Sequence, residues 1–251
     1  MYKKWIEGKK VVCFDLDGTV ADTIAPAVRA FSNILLLANP DLRLQDVYGK
    51  VGEITYEKWA RLIDTKLLKN TMTVKDLTEN TNKEYLKIIS EQSLEPRPGF
   101  WNLIYKLKED KNIPVVLATN TTKNVAMQVM NKLEINGIFD FMIFGDEIKR
   151  PKPNQEIYDK IAKYFGAKPQ EMLVFEDSII GAQAASASGT SLVVIWDGQT
   201  SKSSFPKETL AFTPDFEGIA ENLDYTVDEA LAELKKVSEQ AQGTQAPKTQ
   251  N

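Results

Sequence analysis

Five short apolar runs constrain this chain more than any other feature. They are residues 10–14 (KVVCF), 113–118 (IPVVLA), 139–144 (FDFMIF), 172–175 (MLVF) and 192–196 (LVVIW). They are rich in Val, Ile and Phe and are bounded by turn or polar residues. Such runs read as strands buried on both faces, as in a parallel sheet. Between the later runs, residues 100–107, 125–133 and 157–165 repeat apolar side chains at helical spacing. Strand alternating with helix implies βαβ units and a doubly wound α/β sheet.

One interval breaks that rhythm. About 95 residues separate the first strand from the second, where a crossover needs only a dozen or so. The interval is helical in pattern throughout, as in PAVRAFSNILLL, TYEKWARLIDTKLL and DLTENTNKEYLKIIS. It reads as an α-helical subdomain inserted over residues 23–94, with Pro96, Pro98 and Gly99 marking the return. The main domain then comprises residues 1–22 and 95–225. A further helix is expected over 226–241, where Thr226 and Glu229 form a capping-box pattern. The polar residues 242–251 are expected to be disordered.

Composition excludes several chemistries. None of the 251 residues is histidine. Ser-His-Asp hydrolysis, Cys-His proteolysis and histidine-ligated zinc therefore fall together. Catalysis must run on carboxylates, lysine or hydroxyls, with or without a hard metal. The net charge of −4 offers no basic field for nucleic acid or an anionic membrane. A single cysteine, Cys13, precludes an internal disulfide framework and reads as core packing. The first residues, MYKKWIEGKK, are polar and basic, and the apolar run after them stops at Asp15. Neither a signal peptide nor a membrane span is expected, so a cytoplasmic protein is.

In a parallel α/β sheet, ligands bind beyond the carboxyl ends of the strands. The first strand is followed by Asp15-Leu16-Asp17-Gly18-Thr19, the second by Thr119-Asn120 and the fourth by Glu176-Asp177-Ser178. Lys149-Arg150-Pro151-Lys152-Pro153 precedes the fourth. If these strands are neighbours, their polar residues share one crevice, and the set suits phosphoryl transfer. Gathered carboxylates bind magnesium. Thr119 and Asn120 can donate to phosphate oxygens, and Lys152 supplies a point charge. Asp15 can act as nucleophile and Asp17 as general acid and base. Gly18 lets the chain turn where an approaching phosphate leaves no room for a side chain. Taken singly, each piece has a plainer reading: Asp-x-Asp-Gly is a common turn, and Glu176-Asp177-Ser178 could simply cap a helix. Order and placement together point to chemistry.

Those motifs resemble the haloacid dehalogenase superfamily, in particular its phosphatases with a helical cap. The likeness runs from about Lys10 to Trp196. Asp15 to Thr19 resembles the first motif and Thr119 falls at the second. Lys152-Pro153-Asn154-Gln155-Glu156-Ile157-Tyr158 resembles the third, with Gln155 where a second proline is usual, and Phe175 to Gly181 resembles the fourth. The resemblance implies a Rossmann-like sheet in strand order 5-4-1-2-3 and a closing cap over residues 23–94. It implies Asp15 as nucleophile and metal ligand, Asp17 as general acid/base and, through its backbone carbonyl, magnesium ligand, and Thr119 and Lys152 on the phosphate. Asp177 would ligate magnesium, with Glu176 nearby. Asp17 argues against dehalogenation, in which no leaving oxygen needs a proton.

The implied activity is hydrolysis of a small phosphorylated metabolite. A sugar phosphomutase of the beta-phosphoglucomutase type is the alternative, although its relatives carry a histidine soon after the first motif and a valine where Thr19 stands, and this chain has neither. A phospho-accepting regulatory module and a catalytically silent member are further alternatives. Arg43, Lys50 and Arg61 are candidates for the far end of a substrate, against a plainer reading as solvated helix surface. The oligomeric state stays open.

Overall fold

A computed structural model describes residues 2–47, 52–65, 67–68 and 72–224. Lys50, the helix expected at 226–241 and the tail at 242–251 lie outside the described residues. The strands are β1 Val11–Phe14, β2 Val115–Ala118, β3 Phe141–Ile143, β4 Met172–Glu176, β5 Ser191–Ile195 and β6 Ala211–Thr213. The helices are α1 Lys3–Ile6, α2 Ile24–Ala38, α3 Leu44–Val47, α4 Thr55–Asp64, α5 Val74–Glu91, α6 Phe100–Tyr105, α7 Lys123–Lys132, α8 Glu156–Phe165 and α9 Ile179–Ser188.

All six strands run parallel, in the order β3-β2-β1-β4-β5-β6. The five expected strands are present in the expected order. The sixth is an addition at the β5 edge, too short and too half-buried to announce itself as an apolar run.

Successive residues of each central strand feed opposite faces. Val12 and Phe14 of β1, Val115 and Leu117 of β2, and Leu173 and Phe175 of β4 join one apolar cluster with α6 and α7. Val11 and Cys13, Val116 and Ala118, and Met172 and Val174 join a second cluster with α8 and α9. Helices on both faces explain why these runs show no polar alternation. Phe14 and Phe175 stack at 5.1 Å between centroids, and Phe100 and Phe216 meet Phe14 edge-on.

Helices α2 to α5 occupy the expected insertion between β1 and β2. A third cluster lies wholly there, built on Phe31, Trp59, Leu62 and Leu77. Phe31 and Trp59 stack at 4.4 Å, and Trp59 Nε1 donates to Thr81 Oγ1 at 2.9 Å. Helix α5 starts on a capping box: Thr73 Oγ1 accepts from Asp76 N, and Asp76 Oδ2 accepts from Thr73 N. Its far end carries Tyr85, Ile88 and Ile89 into the first cluster, tying insert to sheet. Among the described residues, no helix is long and apolar enough to cross a membrane.

Phe14 is fully buried at the junction of β1, β4 and α6. Phe14→Ala is therefore expected to destabilise the protein by about 3–5 kcal/mol in urea unfolding. A loss under about 1 kcal/mol would contradict this packing.

Candidate active site

Register aligns the ends of the strands. Phe14 lies opposite both Leu117 and Phe175, so the residues that follow leave the sheet at one level. Asp15 N donates to Phe175 O at 3.0 Å, and Thr119 N donates to Ile143 O at 3.2 Å. The polar groups expected to converge do so at one edge.

Lys152 binds them together. Its ammonium donates to Asp15 Oδ1 at 2.8 Å, to Ala118 O at 2.7 Å and to Glu176 Oε1 at 2.5 Å. Three donors meet three acceptors, which satisfies a lysine buried to 4% exposure. Glu176 also accepts from Tyr158 OH at 3.1 Å and from Ser178 Oγ at 3.3 Å. A Cβ on Gly181 would overlap the Glu176 carboxylate, so only glycine fits there. Ser178 caps α9 by accepting from Gly181 N at 3.0 Å. Capping falls to Ser178 alone, and Glu176 and Asp177 stay at the strand end.

Asn120, expected on phosphate, has its side chain on the loop that carries Lys152. Its Oδ1 accepts from Lys152 N at 3.0 Å, and its Nδ2 donates to Lys152 O at 3.2 Å. Thr119 is buried, and its Oγ1 accepts from Thr121 N at 3.0 Å.

Three hydroxyls hold Asp17. Thr23 and Tyr85 each donate to Oδ1 at 2.8 Å, and Thr121 donates to Oδ2 at 2.6 Å. They come from the start of the insert, from α5 and from the loop after β2. None was anticipated from sequence. Gly18, at φ +89°, leaves no space for a Cβ because the Asp177 carboxylate lies against it. Asp177 thus crowds Gly18 from within the protein. Arg97 Nε pins the same turn by donating to Gly18 O at 2.9 Å.

Asp177 Oδ1 accepts from Thr19 Oγ1 at 3.2 Å. Oxygens of Asp15, Glu176 and Asp177 lie within 4.8 Å of one another. Asp17 keeps its carboxylate out of that cluster. Three carboxylates face one ammonium, and burial compounds the repulsion. Burial, opposed by Lys152 and reinforced by Glu176 and Asp17, raises Asp15 from 3.8 to about 8. Burial, with Asp15 and Glu176 beside it, also pushes Asp177 well above the usual carboxylate range. A hard cation with oxygen ligands fits this donor set, since it would supply the missing positive charge. Lys152 and Thr19 each engage only Oδ1, so the second oxygens of Asp15 and Asp177 stand outside these bonds.

The cavity over the site is lined from the sheet by Asp15, Asp17, Thr119, Lys152 and Asp177, and from the insert by Lys58, Asn82 and Tyr85. Lys58 is 6% exposed, and burial brings its ammonium down to about 8 despite nearby Glu53. Arg43 and Arg61 do not line the cavity. Arg61 pairs instead with Glu53 at 3.3 Å.

The sequence profile described as haloacid dehalogenase-like hydrolase matches residues 9–189. A "phosphorylated carbohydrates phosphatase" of Thermotoga maritima is 30% identical over 189 residues, covering 72% of this chain and 82% of that protein. CbbY from Rhodobacter sphaeroides, solved with phosphate, superposes with a TM-score of 0.73 at 22% identity, covering 86% of this chain and 100% of that one. A beta-phosphoglucomutase from Clostridium difficile gives 0.68 at 20% identity, covering 91% and 98%. At those identities the two structures share the fold.

An Asp15 that keeps its proton up to about pH 8 when folded, but only to about 4 when unfolded, favours the folded state at low pH. That contribution is complete below about pH 4 and is lost as pH rises through about 8. In EDTA, the melting temperature should therefore fall across this window, and less steeply in Asp15→Asn. Magnesium, which binds the deprotonated carboxylates, should raise it more at pH 8 than at pH 5. A melting temperature indifferent to magnesium at pH 8 would contradict a metal site here.

Proposed function

The chain belongs to the haloacid dehalogenase-like hydrolases, and we propose that it is a magnesium-dependent phosphatase working through an aspartyl-phosphate on Asp15. One observation carries the reading: oxygens of Asp15, Glu176 and Asp177 gather within 4.8 Å of one another, Lys152 pairs with the first two, and Asp15, Lys152 and Asp177 line the cavity. Asp15 and Asp177 would hold the metal, with Glu176 behind them fixing Lys152. Bound there, magnesium would neutralise the incoming phosphate and the charge that develops on its oxygens.

The chain's own residues supply the remaining steps. Lys152 holds Asp15 Oδ1 and so sets the rotation of the carboxylate. An Asp15 oxygen attacks phosphorus while the bond to the leaving oxygen breaks, and Asp17 gives that oxygen a proton. Asp17 then takes a proton from water as the water attacks phosphorus, and the bond to Asp15 breaks. Thr119 and Lys152 line the site where the phosphate would sit. Residues 23–94 act as the cap, which excludes water during the first step. Lys58 and Asn82 on the cap wall suit a polar leaving group. A phosphorylated carbohydrate fits that wall, and the Thermotoga maritima relative's name supports the class. A phospho-accepting regulatory module is set aside, because the family is one of hydrolases.

Phosphate release from a panel of metabolite phosphates tests the reading. Turnover should require magnesium, stop in EDTA and fall at least about a thousandfold in Asp15→Asn. Undiminished activity in that variant would refute the nucleophile. Conversion of beta-glucose 1-phosphate to glucose 6-phosphate with a bisphosphate primer, without phosphate release, would mark transfer to sugar instead of water.

A further inference from the structure

Helix α5 belongs to the insert, yet one of its side chains reaches the catalytic edge of the sheet. Tyr85 OH donates to Asp17 Oδ1 at 2.8 Å, sharing that oxygen with Thr23. The Tyr85 ring is 7% exposed and packs in the main apolar cluster with Ile88 and Ile89. Its phenol also lines the cavity. A ring wedged into the core has little freedom, so its hydroxyl is a fixed point, and it holds Asp17 Oδ1 while Thr121 holds Oδ2.

From this geometry we infer that Tyr85 is a positioning residue for proton transfer, which locks Asp17 in place and makes its placement depend on where α5 sits. The inference rests on the reading of Asp17 as general acid. A phenol has one proton to donate and lone pairs to accept with. It can therefore go on donating to Asp17 Oδ1 in both protonation states, while the proton that is transferred is carried on Oδ2. Tyr85 then keeps Asp17 at one spot while the proton moves to the leaving oxygen and while another is taken from water. A shift of α5 moves the phenol with it, so an insert displaced by a poorly fitting substrate leaves Asp17 out of line. Substrate fit on the cap wall is thereby coupled to chemistry on the sheet through one hydrogen bond.

The test exploits the leaving group. An alkyl oxygen needs a proton to depart, whereas p-nitrophenolate departs without one. The quantity to compare is kcat/KM, which covers steps up to formation of the aspartyl-phosphate and not its later hydrolysis. Tyr85→Phe keeps the ring and removes only the hydroxyl. In the magnesium-loaded enzyme it should lower kcat/KM about tenfold to a hundredfold on the best sugar phosphate of the panel. On p-nitrophenyl phosphate it should stay within about threefold of the parent. Equal losses on both substrates would make Tyr85 a packing residue and overturn the inference, as would no loss on either. Asp17→Asn is run beside it. If that variant shows the split and Tyr85→Phe does not, only the Tyr85 inference fails. If Asp17→Asn itself shows no split, the acid assignment beneath it fails.

Discussion

The site depends on one buried ammonium. Lys152 bridges the ends of three strands through Asp15 after β1, Ala118 of β2 and Glu176 of β4. Two of its partners are carboxylates that would otherwise repel each other in a place nearly free of water. Breaking such a buried arrangement by removing one member leaves uncompensated charge, at a cost of several kcal/mol. The loop that delivers Lys152 is accordingly fixed by Asn120 through both its backbone N–H and its carbonyl. Glu176 is fixed in turn by Tyr158, by Ser178 and by the close approach of Gly181.

One lysine balances only part of the charge. Burial, with that residual excess beside it, raises Asp15 and Asp177, and the resulting donor set is one that a hard cation would fit. The two aspartates of the first motif thus live in different surroundings. Asp15 sits among carboxylates and an ammonium, at the centre of the charge. Asp17 sits among three neutral hydroxyls, away from the carboxylate cluster. Two carboxylates set two residues apart can take different roles because their neighbours differ.

The sheet and the charged groups were legible because both follow from simple rules. A strand buried on both faces is an uninterrupted apolar run, and the polar residue that ends it marks the functional edge. Asp15, Thr119, Glu176 and Asp177 were found that way, and the structure brings them together. Strand β6 escaped because three half-buried edge residues make no such run. Tyr85 escaped for another reason: on an amphipathic helix, a tyrosine among Leu77, Ile88 and Ile89 looks like core, and its ring is core. Only the tertiary fold shows where its hydroxyl ends. Thr23 and Thr121 are likewise ordinary loop and cap residues until Asp17 is placed between them. Lys58 escaped while Arg61 was a candidate, because spacing along α4 does not reveal which cation turns toward the cavity.

The central claim is that Asp15 carries the phosphoryl group between substrate and water. The most direct measurement is to quench magnesium-loaded enzyme in acid during turnover and to map the added phosphoryl mass by peptide. On p-nitrophenyl phosphate, whose leaving group needs no proton, the Asp17→Asn variant should still form the intermediate but release it slowly, and so offers the largest signal. Phosphorylation confined to the peptide containing Asp15, and absent in Asp15→Asn, is the predicted result. Steady turnover with no phosphorylated peptide, or with the group on another residue, would contradict the account.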